Sequence, residues 1–462
     1  MEKRNKYFGT DGFRGEANVA LFAHQAYMIG RFIGSSYACL SQKTNRTVRI
    51  AVGKDTRRSS YMLEYALAAG AAASGADVYM LHVITTPGVS YVTRTEGFDF
   101  GVMISASHNP YYDNGIKIVD RYGEKLSDDA AALIEAYIDG DYSRLGLDGD
   151  LPLAQRERIG RITDYSAGRN RYIAYLISLA SNSFKSLRIG LDCANGASWM
   201  IARSVFEALG AQVQIIGGDP SGTNINSSCG STCIEAIGEL VREKHLDVGF
   251  AFDGDADRCI AVDENGHEVN GDHILYILAC RLKRRDALEK NTVAATVMSN
   301  SGLFSALDAE GIGCIQTAVG DRFIYEAMQR DGYSLGGEQS GHIIIKKYAT
   351  TGDGSLTAIM IAEEMLDRKS ELSRLARDVH LLPQISAAVR VRSKRDTAAD
   401  PEVQRVLAEI KAEIGKDGRI LLRESGTEPK IRIMVEFEGE AKCRHFIERM
   451  INVIKERGLS CE

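Results

Sequence analysis

Four short polar strings in this 462-residue chain carry the groups that phosphoryl chemistry needs. Ser105-Ala106-Ser107-His108-Asn109-Pro110 offers hydroxyls beside an imidazole, with Ser107 as candidate nucleophile and His108 as a second catalytic candidate. A serine hydroxyl is a weak nucleophile until activated, and one use for it is to carry the phosphoryl group as a resting phosphoserine. Asp253-Gly254-Asp255-Ala256-Asp257-Arg258 places three carboxylates within five residues. Like unit charges near 4 Å repel by about 4 kcal/mol at an effective dielectric of 20. Asp253, Asp255 and Asp257 therefore call for a cation, and carboxylate oxygens suit Mg²⁺. An EF-hand is the rival reading, since Glu264 stands twelfth from Asp253, but Arg258 occupies the position where that loop turns on glycine, and the flanks read as strands.

The third string, Gly337-Glu338-Gln339-Ser340-Gly341-His342, is a glycine-rich loop that presents Glu338, Ser340 and His342 to one space, suited to a polyhydroxylated ligand. His342 is also a candidate proton shuttle. The fourth, Arg423-Glu424-Ser425-Gly426-Thr427, adds a guanidinium, hydroxyls and backbone N–H groups, with Arg432 on the strand after it. That is the donor set for a phosphate dianion. Arg14 in a tight turn at Phe8–Gly15, and Lys117 just past Asn114-Gly115, are candidates to neutralise charge in the transition state, with Lys117 a second candidate base. Taken singly, each string also fits an ordinary turn. Their joint presence and order point to one site.

The elements that must hold these strings follow from periodicity. Three times a helical segment ends at a glycine and a β-branched run follows: Tyr61–Ser74 then Gly75, Ile201–Leu209 then Gly210, Leu303–Glu310 then Gly311. Apolar runs at Thr47–Val52, Leu187–Leu191 and Thr292–Met298 precede them as buried strands. The last section differs, with strands at Gln384–Val391, Arg419–Arg423 and Lys430–Phe437 around helical patterns at Pro401–Ile414 and Ala441–Arg457. The fold class expected is α/β, three related α/β domains with mixed sheets plus a C-terminal α+β domain. Charged connectors at Asp139–Leu151 and Leu366–Arg377 suggest where units join, and the domains are expected at 1–150, 151–258, 259–375 and 376–462, carrying in turn the serine, metal, sugar and phosphate loops.

Composition bounds the function. The 56 basic and 62 acidic residues give a formal charge of −6, which argues against a chain-wide footprint for nucleic acid or an anionic membrane. No stretch is apolar enough to span a bilayer and no leader is evident, so a cytoplasmic protein is expected. Nine scattered cysteines without a Cys-x-x-Cys pair read as reduced thiols.

At these residues the chain resembles the α-D-phosphohexomutase superfamily over essentially its whole length. Its branch-level likeness is to bacterial phosphoglucosamine mutases, carried by Tyr7–Gly12, Ile104–Asn114, Asp192–Ala197, Asn224–Asn226 with Cys229–Thr232, and Gly336–His342 followed by Ala349–Gly354. The resemblance implies four domains in a heart shape around a central cleft. It implies that Ser107 carries the phosphoryl group, and that its phosphate joins Asp253, Asp255 and Asp257 in holding Mg²⁺. Glu338 and Ser340 match sugar-contacting positions, and Arg423, Ser425, Gly426, Thr427 and Arg432 match the grip on the non-reacting phosphate. The implied reaction is interconversion of glucosamine 6-phosphate and glucosamine 1-phosphate through glucosamine 1,6-bisphosphate, feeding UDP-N-acetylglucosamine and cell-wall precursors. The implied partner is a small hexosamine phosphate, and the assembly entertained is a homodimer. Two departures stand out: Ala256 where glycine is commoner, whose Cβ disfavours φ > 0, and Glu424 where the branch usually has proline. Alternatives are a phosphomannomutase or phosphoglucomutase, a metal-dependent phosphatase with a serine intermediate, and a silent sugar-phosphate sensor.

Overall fold

The computed structural model describes residues 6–9, 11–40, 47–416, 418–425 and 429–461. Among them the first sheet has seven strands in the order Phe8–Gly9, Gly12–Glu16, Asp113–Asp120, Phe100–Ile104, Arg49–Lys54, Asp77–Val83, Ile162–Asp164. Its centre is parallel, with helices Arg58–Ala73 and Thr86–Thr95 as crossovers, while Asp113–Asp120 runs antiparallel to its neighbours on both sides. Arg49–Lys54 is covered on both faces and so reads as a continuous run rather than an alternating one.

The second sheet runs Glu268–Val269, Cys259–Val262, Val248–Phe252, Arg188–Asp192, Gln212–Ile216, and the third Gly313–Thr317, Thr292–Thr296, Leu335–Gly337, Ile343–Ile345. The last is antiparallel, Gln384–Arg390, Lys430–Phe437, Gly418–Glu424, backed by helices Pro401–Ile414 and Glu440–Glu456. These are the three mixed α/β layers and the α+β section that periodicity predicts. The recurring glycines do what their position requires: Gly75, Gly210 and Gly311 take φ of +93°, +96° and +63° where the helix hands over to the strand.

The boundaries shift. Ile162–Asp164 completes the first sheet beyond residue 150, and the hairpin Val248–Phe252 with Cys259–Val262 runs through the division expected at 258. The expected connector Leu366–Arg377 is largely helix, the end of Gly354–Arg368 and then Leu372–Ala376. Its charges are solvated helix faces, which look like a linker when only composition is read. The chain forms two compact units, one of residues up to Val297 with Ile312–Arg377, the other of Met298–Gly311 with Asp378 onward. Helix Ser301–Ala309, expected in the third layer, thus belongs to the second unit. Among the described residues no helix is long and apolar enough to cross a membrane.

Candidate active site

Strand Phe100–Ile104 delivers the chain to Ser105, and Pro110, which cannot donate to a ladder, keeps the following loop out of the sheet. Ser107 is buried with φ +53°, in the left-handed region that a side chain disfavours. Its N–H donates to Ser105 Oγ at 2.9 Å, and its Oγ donates to Asp253 Oδ2 at 2.5 Å. The hydroxyl therefore stands against the metal-loop candidate of the next layer. His108 Nδ1 lies 3.3 Å from the same Oγ and accepts from Arg258 Nη1 at 3.2 Å. Burial, with Arg258 and Arg14 nearby, pushes its pKa down to about 4, so the ring is neutral.

The three aspartates sit in the turn between strands Val248–Phe252 and Cys259–Val262, and a carboxylate oxygen from each lies within 4.8 Å of the others. Strand flanks on both sides rule out the EF-hand geometry. All three side chains are buried. Burial and the facing carboxylates of Asp257 and Asp255 push Asp253 up to about 8, and burial with Asp257 raises Asp255. Asp255 Oδ1 and Asp257 Oδ1 are buried without a hydrogen-bond partner among the described residues. Orphaned anionic oxygens at this spacing fit a hard divalent cation, with Asp253, Asp255 and Asp257 as ligands. The caution over Ala256 is answered by the backbone: it adopts φ +54° despite its Cβ, its N–H donating to Asp253 O and its carbonyl accepting from Gly354 N, both at 3.0 Å.

The other oxygens of this cluster are tied from behind. Lys117 on strand Asp113–Asp120 is 4% exposed, which excludes a solvated edge lysine. Its ammonium lies 2.7 Å from Asp255, 3.2 Å from Asp257 and 3.0 Å from Asp11. Burial alone would lower its pKa, yet those three carboxylates hold it well above the usual lysine range. Thr86 donates to Asp255 Oδ2 as well. Arg14, on strand Gly12–Glu16, pairs with Asp11, and burial is outweighed there by Asp11, Asp255 and Asp257, which raise its pKa. Lys125 completes the network at 2.6 Å from Asp11 and 2.5 Å from Asp321.

The sugar-loop expectation is met only in part. Gly336 and Gly337 lie in strand Leu335–Gly337 rather than in a loop. His342 turns inward, 2% exposed, accepting from Gly352 N at 3.0 Å with Nδ1 3.7 Å from Asp257 and Nε2 3.4 Å from Asp321. Burial opposes its charge, but Asp257, Asp321 and Glu338 raise its pKa. It thus supports the metal loop and does not share an open face with Ser340, which is exposed. Glu338 is half-buried and accepts from Gly320 N at 3.2 Å.

In the second unit Arg423 and Arg432 stand directly opposite on strands Gly418–Glu424 and Lys430–Phe437. They line a pocket of about 240 Å³ with Leu421, Met434, Ser386 and Ala388. Glu424 is exposed and, by strand alternation, faces the other way, so its carboxylate does not share the arginines' face. Ser425 is buried, its carbonyl taken by Lys394 Nζ at 2.7 Å. Gly426 and Thr427 lie outside the described residues.

Sequence reasoning missed Asp11, Lys125, Asp321, Arg57, Asn226 and Arg258 as parts of this site. Arg258 was in plain view inside the aspartate string, and Asp11 beside the glycines of the first turn. Asn226 stood in the Asn224–Asn226 string without a role, and Arg57 had no comparable signal.

Models of the phosphoglucomutase/phosphomannomutase domains match in sequence: α/β/α domain I over residues 5–144, domain II over 170–266, domain III over 270–381, and the C-terminal domain over 387–453. A phosphoglucosamine mutase of Lachnospira eligens is 54% identical, covering 98% of this chain and 99% of its own. Among solved structures, a phosphoglucomutase/phosphomannomutase family protein of Burkholderia thailandensis superposes with a TM-score of 0.79 at 23% identity, over 97% of each chain. N-acetylphosphoglucosamine mutase of Aspergillus fumigatus, solved with GlcNAc-6P and magnesium, gives 0.69 at 15% identity over 98% of this chain and 96% of that one. The chain belongs to the phosphoglucomutase/phosphomannomutase family and is an enzyme of the mutase type.

Proposed function

We propose that the protein is a phosphoglucosamine mutase that interconverts glucosamine 6-phosphate and glucosamine 1-phosphate through phospho-Ser107 and a glucosamine 1,6-bisphosphate intermediate. One observation carries the reading: Ser107 Oγ lies 2.5 Å from a carboxylate of a buried three-aspartate cluster that fits a divalent cation. Full-length relatives named phosphoglucosamine mutase support the choice of hexosamine. Mg²⁺ bound by Asp253, Asp255, Asp257 and the Ser107 phosphate would offset charge on the transferring phosphoryl oxygens.

The free C1 or C6 hydroxyl attacks the phosphorus, its bond to Ser107 Oγ breaks, and the hydroxyl proton ends on the departing Oγ, beside which His108 Nδ1 lies at 3.3 Å. Lys117 and His342 are the bases expected; Lys117 is engaged by carboxylates and serves with Arg14 as a charge partner, while His342, whose Nε2 accepts from Gly352 N, lies 3.7 Å from Asp257. The bisphosphate turns over, Oγ takes the other phosphoryl group and the proton returns. Arg423, Ser425, Gly426, Thr427 and Arg432 hold the phosphate that is not being transferred, and Glu338 and Ser340 read the sugar hydroxyls. An isomerase assay with glucosamine 6-phosphate, Mg²⁺ and a trace of bisphosphate tests this. Conversion is expected in wild type and absent in Ser107→Ala; preferential turnover of mannose or glucose phosphates, or release of inorganic phosphate, overturns the assignment.

A further inference from the structure

We infer that Arg57 and Asn226 are paired positioning residues that hold the serine loop in its reactive conformation, an inference resting on Ser107 as phosphoryl carrier. A non-glycine residue at φ +53° persists only where its surroundings over-determine it. Here two carbonyls do so, Ser107 O and Asn109 O, and each accepts two side-chain donors. Arg57 Nη2 reaches both at 2.8 Å, and Asn226 Nδ2 reaches them at 2.9 and 3.1 Å. The donors come from different layers: Arg57 follows strand Arg49–Lys54 of the first sheet, and Asn226 lies after strand Gln212–Ile216 of the second.

Arg57 is itself fixed. It is fully buried, Nε donates to Asp55 Oδ2 at 2.8 Å, and Nη1 reaches Pro110 O and, at 3.1 Å, Asp113 O. Asp55 Oδ2 also takes Ser105 Oγ at 2.7 Å, the oxygen that accepts the Ser107 N–H. Asn226 adds the spacing to the metal loop. A Cβ on Gly254 would fall 2.5 Å from Ser107 O and 3.1 Å from Asn226 Nδ2, so the aspartate turn packs directly on the clamped carbonyl. Glycine is required there by close approach. With backbone and metal loop pinned to one oxygen, Ser107 Oγ is left aimed at Asp253, and a misplacement of about 1 Å costs on the order of 10²-fold in rate.

Asn226 has φ +56°, so the informative variants are Asn226→Asp, which keeps shape and tolerance of that backbone but loses the donor, and Asn226→Gly, which removes the side chain without strain. Phosphate uptake onto Ser107 from glucose 1,6-bisphosphate with Mg²⁺ is followed by intact mass, and amide exchange of residues 105–109 is measured on metal-free protein. Both variants are expected to slow uptake about 10–100-fold with KM for the bisphosphate within about twofold, and to speed loop exchange at least about tenfold, at unchanged melting temperature. Arg57→Lys, which keeps charge but loses the fork, is expected to act in the same direction. Wild-type uptake and exchange in both Asn226 variants, or KM rising as much as kcat falls, overturns the inference. A wild type that takes up phosphate without isomerising glucosamine 6-phosphate defeats the hexosamine reading alone; one that never gains phosphate defeats the carrier reading, and loop exchange still decides the clamp.

Discussion

The serine and aspartate cluster and the arginine-bearing strand pair hold their charges in different surroundings. The first is buried, and most of its charges are balanced by partners from the chain itself, Lys117 and Arg14 against Asp11, Asp255 and Asp257. The second sets Arg423 opposite Arg432 on a partly exposed strand pair, where solvent and salt screen charge. Chemistry needs groups whose positions do not depend on the ligand, and the cluster is held in place by partners within the chain. Recognition of a phosphate that must be exchanged for another needs side chains that solvent and ligand can reach, and these two arginines are partly exposed.

The largest effect expected of the buried region is loss of the nucleophile. Ser107→Ala lowers kcat by roughly 10⁴-fold or more, while substrate-induced protection against heat, which reads the arginines, persists. If Ser107→Ala abolished that protection too, the two regions would not be separable. Next comes Lys117→Met. Removing one partner of a buried charge set destabilises by about 3–5 kcal/mol because the others are left uncompensated, here Asp255 and Asp257, since Asp11 keeps Arg14 and Lys125. Thermal unfolding is expected to show this loss, with partial recovery in Mg²⁺. A variant as stable as wild type would mean the carboxylates are already neutralised by protons.

Asp353 tests whether this buried character extends beyond the reacting groups. It caps helix Gly354–Arg368 by accepting from Leu356 N at 2.9 Å and takes the Tyr172 hydroxyl at 2.7 Å, yet burial raises its pKa to about 6. A carboxyl that binds its proton more tightly folded than unfolded contributes stability that is full below about pH 4 and is lost as pH rises through 6. Asparagine caps a helix comparably and has no proton to lose. The stability difference between Asp353→Asn and wild type should therefore move in favour of asparagine by about 3 kcal/mol between pH 4 and 7. Parallel profiles would place the raised pKa elsewhere.

How much of this was legible beforehand follows the same division. Alternating and continuous apolar runs gave the strands, and glycine after a helix gave the three hand-over points, because those signals are local. The aspartates were legible because like charges within five residues demand an explanation, and Ser107 because its string ends a strand and stands with the other three motifs. The role of Lys117 was only half legible, since its three partners come from positions 11, 255 and 257. Arg57 was not legible at all: its acceptors are backbone carbonyls, which every residue has. His342 misled because a glycine-rich neighbourhood suggests exposure, whereas its ring turns back against Asp257.

The smallest effect belongs to the strand pair. Losing a charge-assisted hydrogen bond to a phosphate costs about 1.5–3 kcal/mol, so Arg423→Ala should reduce kcat/KM about 10–100-fold, chiefly through KM. Because these side chains are partly exposed, the wild-type KM should rise between low salt and 0.15 M, where the screening length is about 8 Å. The rate of phosphate transfer within the bound complex, which depends on the buried cluster, should hardly change over the same range. Removing Arg423 takes away one of two positive charges on this partly exposed strand pair, so the variant's KM should be less sensitive to salt. An Arg423→Ala protein with unchanged KM and a salt dependence like that of wild type would show that the non-reacting phosphate is held elsewhere, and the contrast between a buried and a partly exposed charged region would fall with it.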